Sequence, residues 1–232
     1  MKRYLVLLIF VHVLDRTCAQ DISFAGEELP LTNQLALHYF LDISNDKLFS
    51  EPQLKVIRTR ARLYFPIIES ILDKYQIPED FKYLTVAESA LLNVQSGKKA
   101  RGIWQIMPGT AKELGLAVTN VVDEREQVIK STVAACKLLN KLYGRFKNWT
   151  LAAAAYNAGM GKISKAVNQQ GVNNFYQLRV NKETNDYIYR IIVYKLFLQG
   201  RITNNSVVDN VFDDAFSDWS VFAGNSGVRD FK

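Results

Sequence analysis

The sequence predicts a mostly α-helical protein, and three observations carry that expectation. Apolar residues recur at three- and four-residue steps over most of the chain. Helix-start signals, proline followed by acids or hydroxyls, precede several of these stretches. The alternating Val, Thr and Ile runs that mark strands are nearly absent. At 232 residues, 48% hydrophobic and 22% charged, the chain is long and apolar enough to bury one sizeable core.

Residues 20–51 mix short apolar and polar runs and read as a wrapping N-terminal arm with one short helix near residues 34–41. From Pro52 the pattern turns helical, with Val56, Leu63, Ile67, Ile68, Ile71, Leu72 and Tyr75 in step. Pro66 falls inside this run, where a kink or break is expected. Pro78, Glu79 and Asp80 start a helix running to about residue 92, with the acids at the positive end of its dipole. A polar loop follows at residues 93–102. Pro108 opens a further helix, and Asp123 caps one that carries Val128, Val133, Cys136, Leu139 and Tyr143. Residues 149–158 form an alanine-rich helix that a neighbour can approach closely. Residues 163–168 and 183–198 complete the helical region.

The two ends read differently. Lys2 and Arg3, an apolar run at residues 4–14 and the small Ala19 predict a signal peptide over residues 1–19 and export to the periplasm or cell envelope. Cys18 offers a lipoprotein anchor as the lesser alternative, because Asp15 and Arg16 stand where small residues are wanted. Cleavage after Ala19 leaves Cys136 as the single thiol, read as inert core. Residues 203–232 are a C-terminal tail of Asn, Asp, Ser and Gly with aromatics, expected to dock through those aromatics. The net charge of +6 suits an anionic polymer. No zinc pattern, helix-turn-helix spacing or dense basic cluster supports a nucleic-acid partner.

One residue stands out chemically. Glu88 lies seven residues after Phe81, four after Leu84 and three before Leu91, which places its carboxyl on the apolar stripe of its helix. Glu79, Asp80 and Lys82 are expected to serve the wet face. A carboxylate there is poorly solvated and its pKa rises, as a glycosidic general acid requires. A structural glutamate bonded to a buried arginine fits the helix equally well.

The surroundings break the tie. Glu88-Ser89 is followed by the polar loop, then Gly102-Ile103-Trp104-Gln105-Ile106-Met107-Pro108-Gly109-Thr110-Ala111. Later come Ala154-Ala155-Tyr156-Asn157-Ala158-Gly159 and Glu183-Thr184-Asn185-Asp186-Tyr187-Ile188. Over residues 54–199 these motifs, in this order, resemble the lytic transglycosylases of glycoside hydrolase family 23. The upstream helices are similar to the lead-in of the membrane-bound lytic murein transglycosylase D subgroup, without its wall-binding LysM repeats. The resemblance implies a lysozyme-like helical domain at residues 52–202, in the goose-type lysozyme and SLT class, acting on peptidoglycan glycan strands.

By the same resemblance Glu88 is the one catalytic carboxylate. Ser96 matches a loop serine near the reacting sugar, and Gln105 and Met107 match an element lining the groove. Gly102 would let backbone approach the sugar. Tyr156 and Asn157 match an element contacting an N-acetyl sugar, and Tyr187, rather than Tyr189, matches the tyrosine near the acid. Ile103 and Ile106 read as core, and Arg101 as a solvated side chain. Asp186 is expected to face away, so no second carboxylate is available for a two-acid mechanism. The resemblance implies substrate assistance instead, with no metal and no cofactor. A hydrolytic muramidase of goose-lysozyme character and a non-catalytic peptidoglycan-binding helical protein are the alternatives.

Overall fold

The computed structural model describes residues 22–46 and 49–202. The expected signal peptide, Cys18 and the C-terminal tail lie outside the described residues. The chain is mostly α-helical, as its periodicity predicts. A two-strand antiparallel ribbon, β1 (Ser23–Phe24) and β2 (Glu27–Glu28), opens the described chain. Eight helices follow: α1 (Gln34–Ser44), α2 (Glu51–Lys74), α3 (Lys82–Ser89), α4 (Pro108–Glu113), α5 (Val128–Phe146), α6 (Trp149–Ala158), α7 (Met160–Gln170) and α8 (Lys182–Leu198).

Helix α8 is the hub. It packs against α1, α3 and α6, while α5 packs on α2 and α6. Its residues Ile188, Ile191, Ile192, Val193 and Phe197 are fully buried, so its core contacts surround much of the helix. Four consecutive alanines, Ala152 to Ala155, are buried in α6 and give its neighbours close approach. The N-terminal ribbon is tied into this core. Glu27 accepts hydrogen bonds from the Trp149 and Thr150 amides at 2.8 and 3.1 Å, satisfying the free N–H groups at the start of α6.

Some expectations change. Helix α2 runs unbroken through Pro66. The proline is exposed there, so the carbonyl it leaves unpaired one turn back meets solvent rather than core. The helix expected over residues 78–92 is a 3-10 turn at Glu79–Phe81 followed by α3, which stops at Ser89. Ala90 and Leu91 both take positive φ there and reverse the chain. Asp80 and Lys82 are not on a wet face. Asp80 accepts from Lys195 on α8 at 2.7 Å and from the Ala25 amide, and buried Lys82 pairs with Glu69 on α2 and with Glu79. These pairs fasten both flanks of the turn that feeds α3. Arg101 likewise is not simply solvated: it pairs with Asp123 and Glu126.

Candidate active site

Phe81, Leu84 and Leu91 are all buried, as the stripe requires, and Glu88 lies among them at the edge of the core. The end of α3 is clamped. Ser89 Oγ donates to the Ile103 carbonyl at 3.0 Å, and Arg60 Nη1 donates to the Ala90 carbonyl at 3.0 Å. The helix that carries Glu88 is thereby fixed to the loop at residues 93–107 and to α2.

The carboxyl faces α8. Tyr187 donates its hydroxyl to Glu88 Oε1 at 2.7 Å. Burial pushes the Glu88 carboxyl up to about 7 from an ordinary value of 4.5, against the lowering effects of the Tyr187 hydrogen bond and the Arg190 charge. Burial also drives the Tyr187 and Tyr156 phenols well upward, so both remain protonated donors. A cavity of about 390 Å³ opens in front of Glu88, lined by Ala87, Asn157, Tyr187, Lys182, Glu183, Asp186 and Arg190. A group poised near neutrality can give a proton and take one back, and this one opens on a space large enough for a sugar ring.

Of the residues singled out from the sequence, Glu88, Asn157 and Tyr187 meet at this cavity. The others are not among the residues that line it. Tyr156 donates to the Trp104 carbonyl at 2.7 Å and holds the loop to α6. Gln105, at positive φ, spends its amide on the Val94 and Gly102 carbonyls. Ser96 closes the loop tip, its Oγ accepting from the Ala100 amide at 3.0 Å. Met107 is 44% exposed, whereas Ile103, Trp104 and Ile106 are core. Tyr189 packs with Tyr39 and Tyr176 away from Glu88.

One expectation about the site is corrected, and another has a structural ground of its own. Gly102 is required by the packing of the protein itself. A Cβ there would stand 2.0 Å from the Arg125 carbonyl oxygen, so it is the protein's own backbone that requires glycine. Asp186 does not face away: it lines the cavity beside Glu183. Sequence reasoning also missed Lys182 and Arg190. The signal was present, because Lys182, Asp186 and Arg190 recur at four-residue steps and share the Tyr187 side of α8.

The loop is held from below by Arg125, which is buried. It forms a two-pronged pair with Asp123, through Nε at 2.9 Å and Nη2 at 2.7 Å. Its Nη1 donates to the Lys99 and Ile106 carbonyls at 2.8 and 3.0 Å.

Residues 66–178 match the Transglycosylase SLT domain. The chain is homologous to membrane-bound lytic murein transglycosylase D of Escherichia coli, with 32% identity over 151 residues in each of two strains. That alignment covers 62% of this chain and 33% of the relative, so the chain spans about a third of its length. Among solved structures, an inactive mutant of lytic transglycosylase Slt from Pseudomonas aeruginosa aligns with a TM-score of 0.47 and 18% identity, over 72% of this chain and 33% of that one.

Proposed function

We propose that the chain is a peptidoglycan lytic transglycosylase. It cleaves the β-1,4 bond between N-acetylmuramic acid and N-acetylglucosamine and leaves a 1,6-anhydro muramic end. The observation that carries this reading is Glu88, a carboxyl on a sugar-sized cavity, hydrogen-bonded to Tyr187 and protonated in part at neutral pH. The SLT match over residues 66–178 supports the same reaction class.

The steps balance with one carboxyl. Glu88 gives its proton to the bridging oxygen as the bond from muramic C1 breaks. The muramic acetamido oxygen supports the developing positive charge at C1. Glu88, now a carboxylate, takes the proton of the muramic C6 hydroxyl as that oxygen bonds to C1. Glu88 ends as it began, and no water is consumed. Tyr187 holds the carboxyl in place, and its hydrogen bond favours the carboxylate formed midway. Asn157 offers an amide to an N-acetyl group. Ser96, Gln105, Met107 and Tyr156 shape and hold the groove in this reading. The site of action is the cell envelope, in keeping with the membrane-bound relative.

A hydrolytic muramidase is the second reading. Asp186 and Glu183 favour it, since they supply carboxyls on the same cavity that could activate water. Against it, Asp186 Oδ2 is engaged by Lys182 at 2.8 Å. The test of Glu88 is the rate of fragment release from purified sacculi. Glu88→Gln is expected to abolish release while the protein stays folded; retained activity overturns the assignment.

A further inference from the structure

The positive charge of the chain is concentrated in one stretch. Nine of the 29 basic residues and none of the 23 acidic ones fall at residues 127–182, so the rest of the chain is net acidic. Helix α5 gathers several of these cations on one side. Lys130, Lys137, Lys141 and Arg145 follow at seven- and four-residue steps, and all four are exposed. The row is about 22 Å long at about 1.5 Å per residue. Lys130 pairs with Glu124, whereas Lys137, Lys141 and Arg145 have no carboxylate partner among the described residues. Arg145 Nε donates to Ser164 Oγ at 3.3 Å, which brings α7 and its exposed Lys165 beside the row. The opposite side of α5 is the buried one: Thr132 accepts there from Trp104 Nε1 at 2.9 Å, and Cys136 and Leu139 are core. No residue of α5 lines the cavity at Glu88. An apolar tip adjoins the start of the row. Thr119 Oγ1 accepts from the Val121 and Val122 amides at 3.2 and 2.9 Å, closing a turn that holds Val121 92% exposed. Glu124 ties that turn to the row, because it accepts from the Ala117 amide at 2.8 Å and pairs with Lys130. Ile129, in the first turn of α5, is exposed as well.

We propose that this side of α5, with the Val121 tip, docks on a membrane surface that bears anionic phospholipid head groups. Charge complementarity selects the partner: a row of cations with few counter-acids matches a plane of phosphates. Lysine predominates in the row, and its point charge suits a diffuse anionic plane better than two-pronged recognition of one group. The exposed valines add the apolar contact that a lipid interface accepts and a soluble polyanion does not use. Docking there uses none of the residues that line the cavity, and it does not depend on what Glu88 does.

The full chain is sedimented with phosphatidylcholine vesicles, with and without phosphatidylglycerol. The wild type is expected to prefer the anionic vesicles, and added salt should release it. Lys137→Gln, Lys141→Gln and Arg145→Gln together should lower binding to anionic vesicles about 100-fold, at about fivefold per cation. Val121→Ser should lower it about tenfold, the effect of one valine withheld from an apolar contact. Lys55→Gln, Arg62→Gln and Lys74→Gln on α2 remove the same charge from exposed positions elsewhere, and should cost less than about threefold. Glutamine sustains a helix, so both triple variants should keep the melting temperature of the wild type. Equal binding to the two kinds of vesicle, equal losses in the two triple variants, or no effect of Val121→Ser overturns the proposal. So does binding to purified sacculi that the α5 variant abolishes while vesicles are ignored, which would make a wall polymer the partner.

Discussion

A proton held on Glu88 at neutral pH has a cost that folding must carry, and that cost can be measured. In the unfolded chain the carboxyl ionises near 4.5; in the folded protein it does so near 7. Between those values the folded state binds more protons than the unfolded one, so its stability falls as pH rises. Below about 4.5 both states are protonated and nothing is lost; above about 7 the loss is complete. At about 1.4 kcal/mol per pH unit the interval amounts to roughly 3 kcal/mol. Glu88→Gln removes the titration while keeping a carbonyl oxygen for the Tyr187 hydroxyl. Urea unfolding of the wild type and the variant, at steps from pH 4 to 9, gives the stability difference at each pH. Groups that titrate alike in both proteins cancel. The variant is expected to gain on the wild type by roughly 3 kcal/mol between pH 4 and 8, or about 6–12 °C in melting temperature for a chain of this size. A difference that stays flat across this range, or one that favours the wild type at high pH, would refute the claim that burial raises this carboxyl.

Other outcomes follow from the same geometry. Tyr187→Phe removes the hydrogen bond that lowers the Glu88 pKa, so the alkaline limb of the pH–activity profile should move upward and the rate should fall; an unmoved limb counts against that contact. Gly102→Ala meets the Arg125 carbonyl at 2.0 Å with φ at +81°, and a loss of several kcal/mol in stability is expected by thermal unfolding. Asp123 is held below its usual range, chiefly by its hydrogen bond to Arg125. Its contribution should be present above the unfolded-state value and lost on acidification, so Asp123→Asn should lower stability at pH 7 and lose that effect at acid pH.

The placement of Glu88 was legible because a helix converts spacing into direction. Phe81, Leu84 and Leu91 define a buried stripe, and the carboxyl shares it. The alanine-rich helix was equally plain, with both ends at the expected residues. The stop at Ser89 was not, because it depends on Ala90 and Leu91 adopting positive φ, a conformation their side chains disfavour and do not advertise. Arg125 also escaped notice. Its importance comes from three contacts that join separate turns of chain, to Asp123, Lys99 and Ile106. Such a junction has no periodicity to betray it. Asp186 was assigned to the wrong side because a motif fixes which positions match, while the cavity is formed by which helices meet. Helix α8 is covered on several sides, and Asp186 stands on the side of it that meets Glu88.

The most direct test of the proposed chemistry weighs what the protein makes. Soluble fragments released from purified sacculi should carry 1,6-anhydro muramic ends and weigh one water less than the hydrolytic products of the same strands. Fragments ending in a reducing muramic residue with a free C6 hydroxyl would contradict it and make the protein a muramidase.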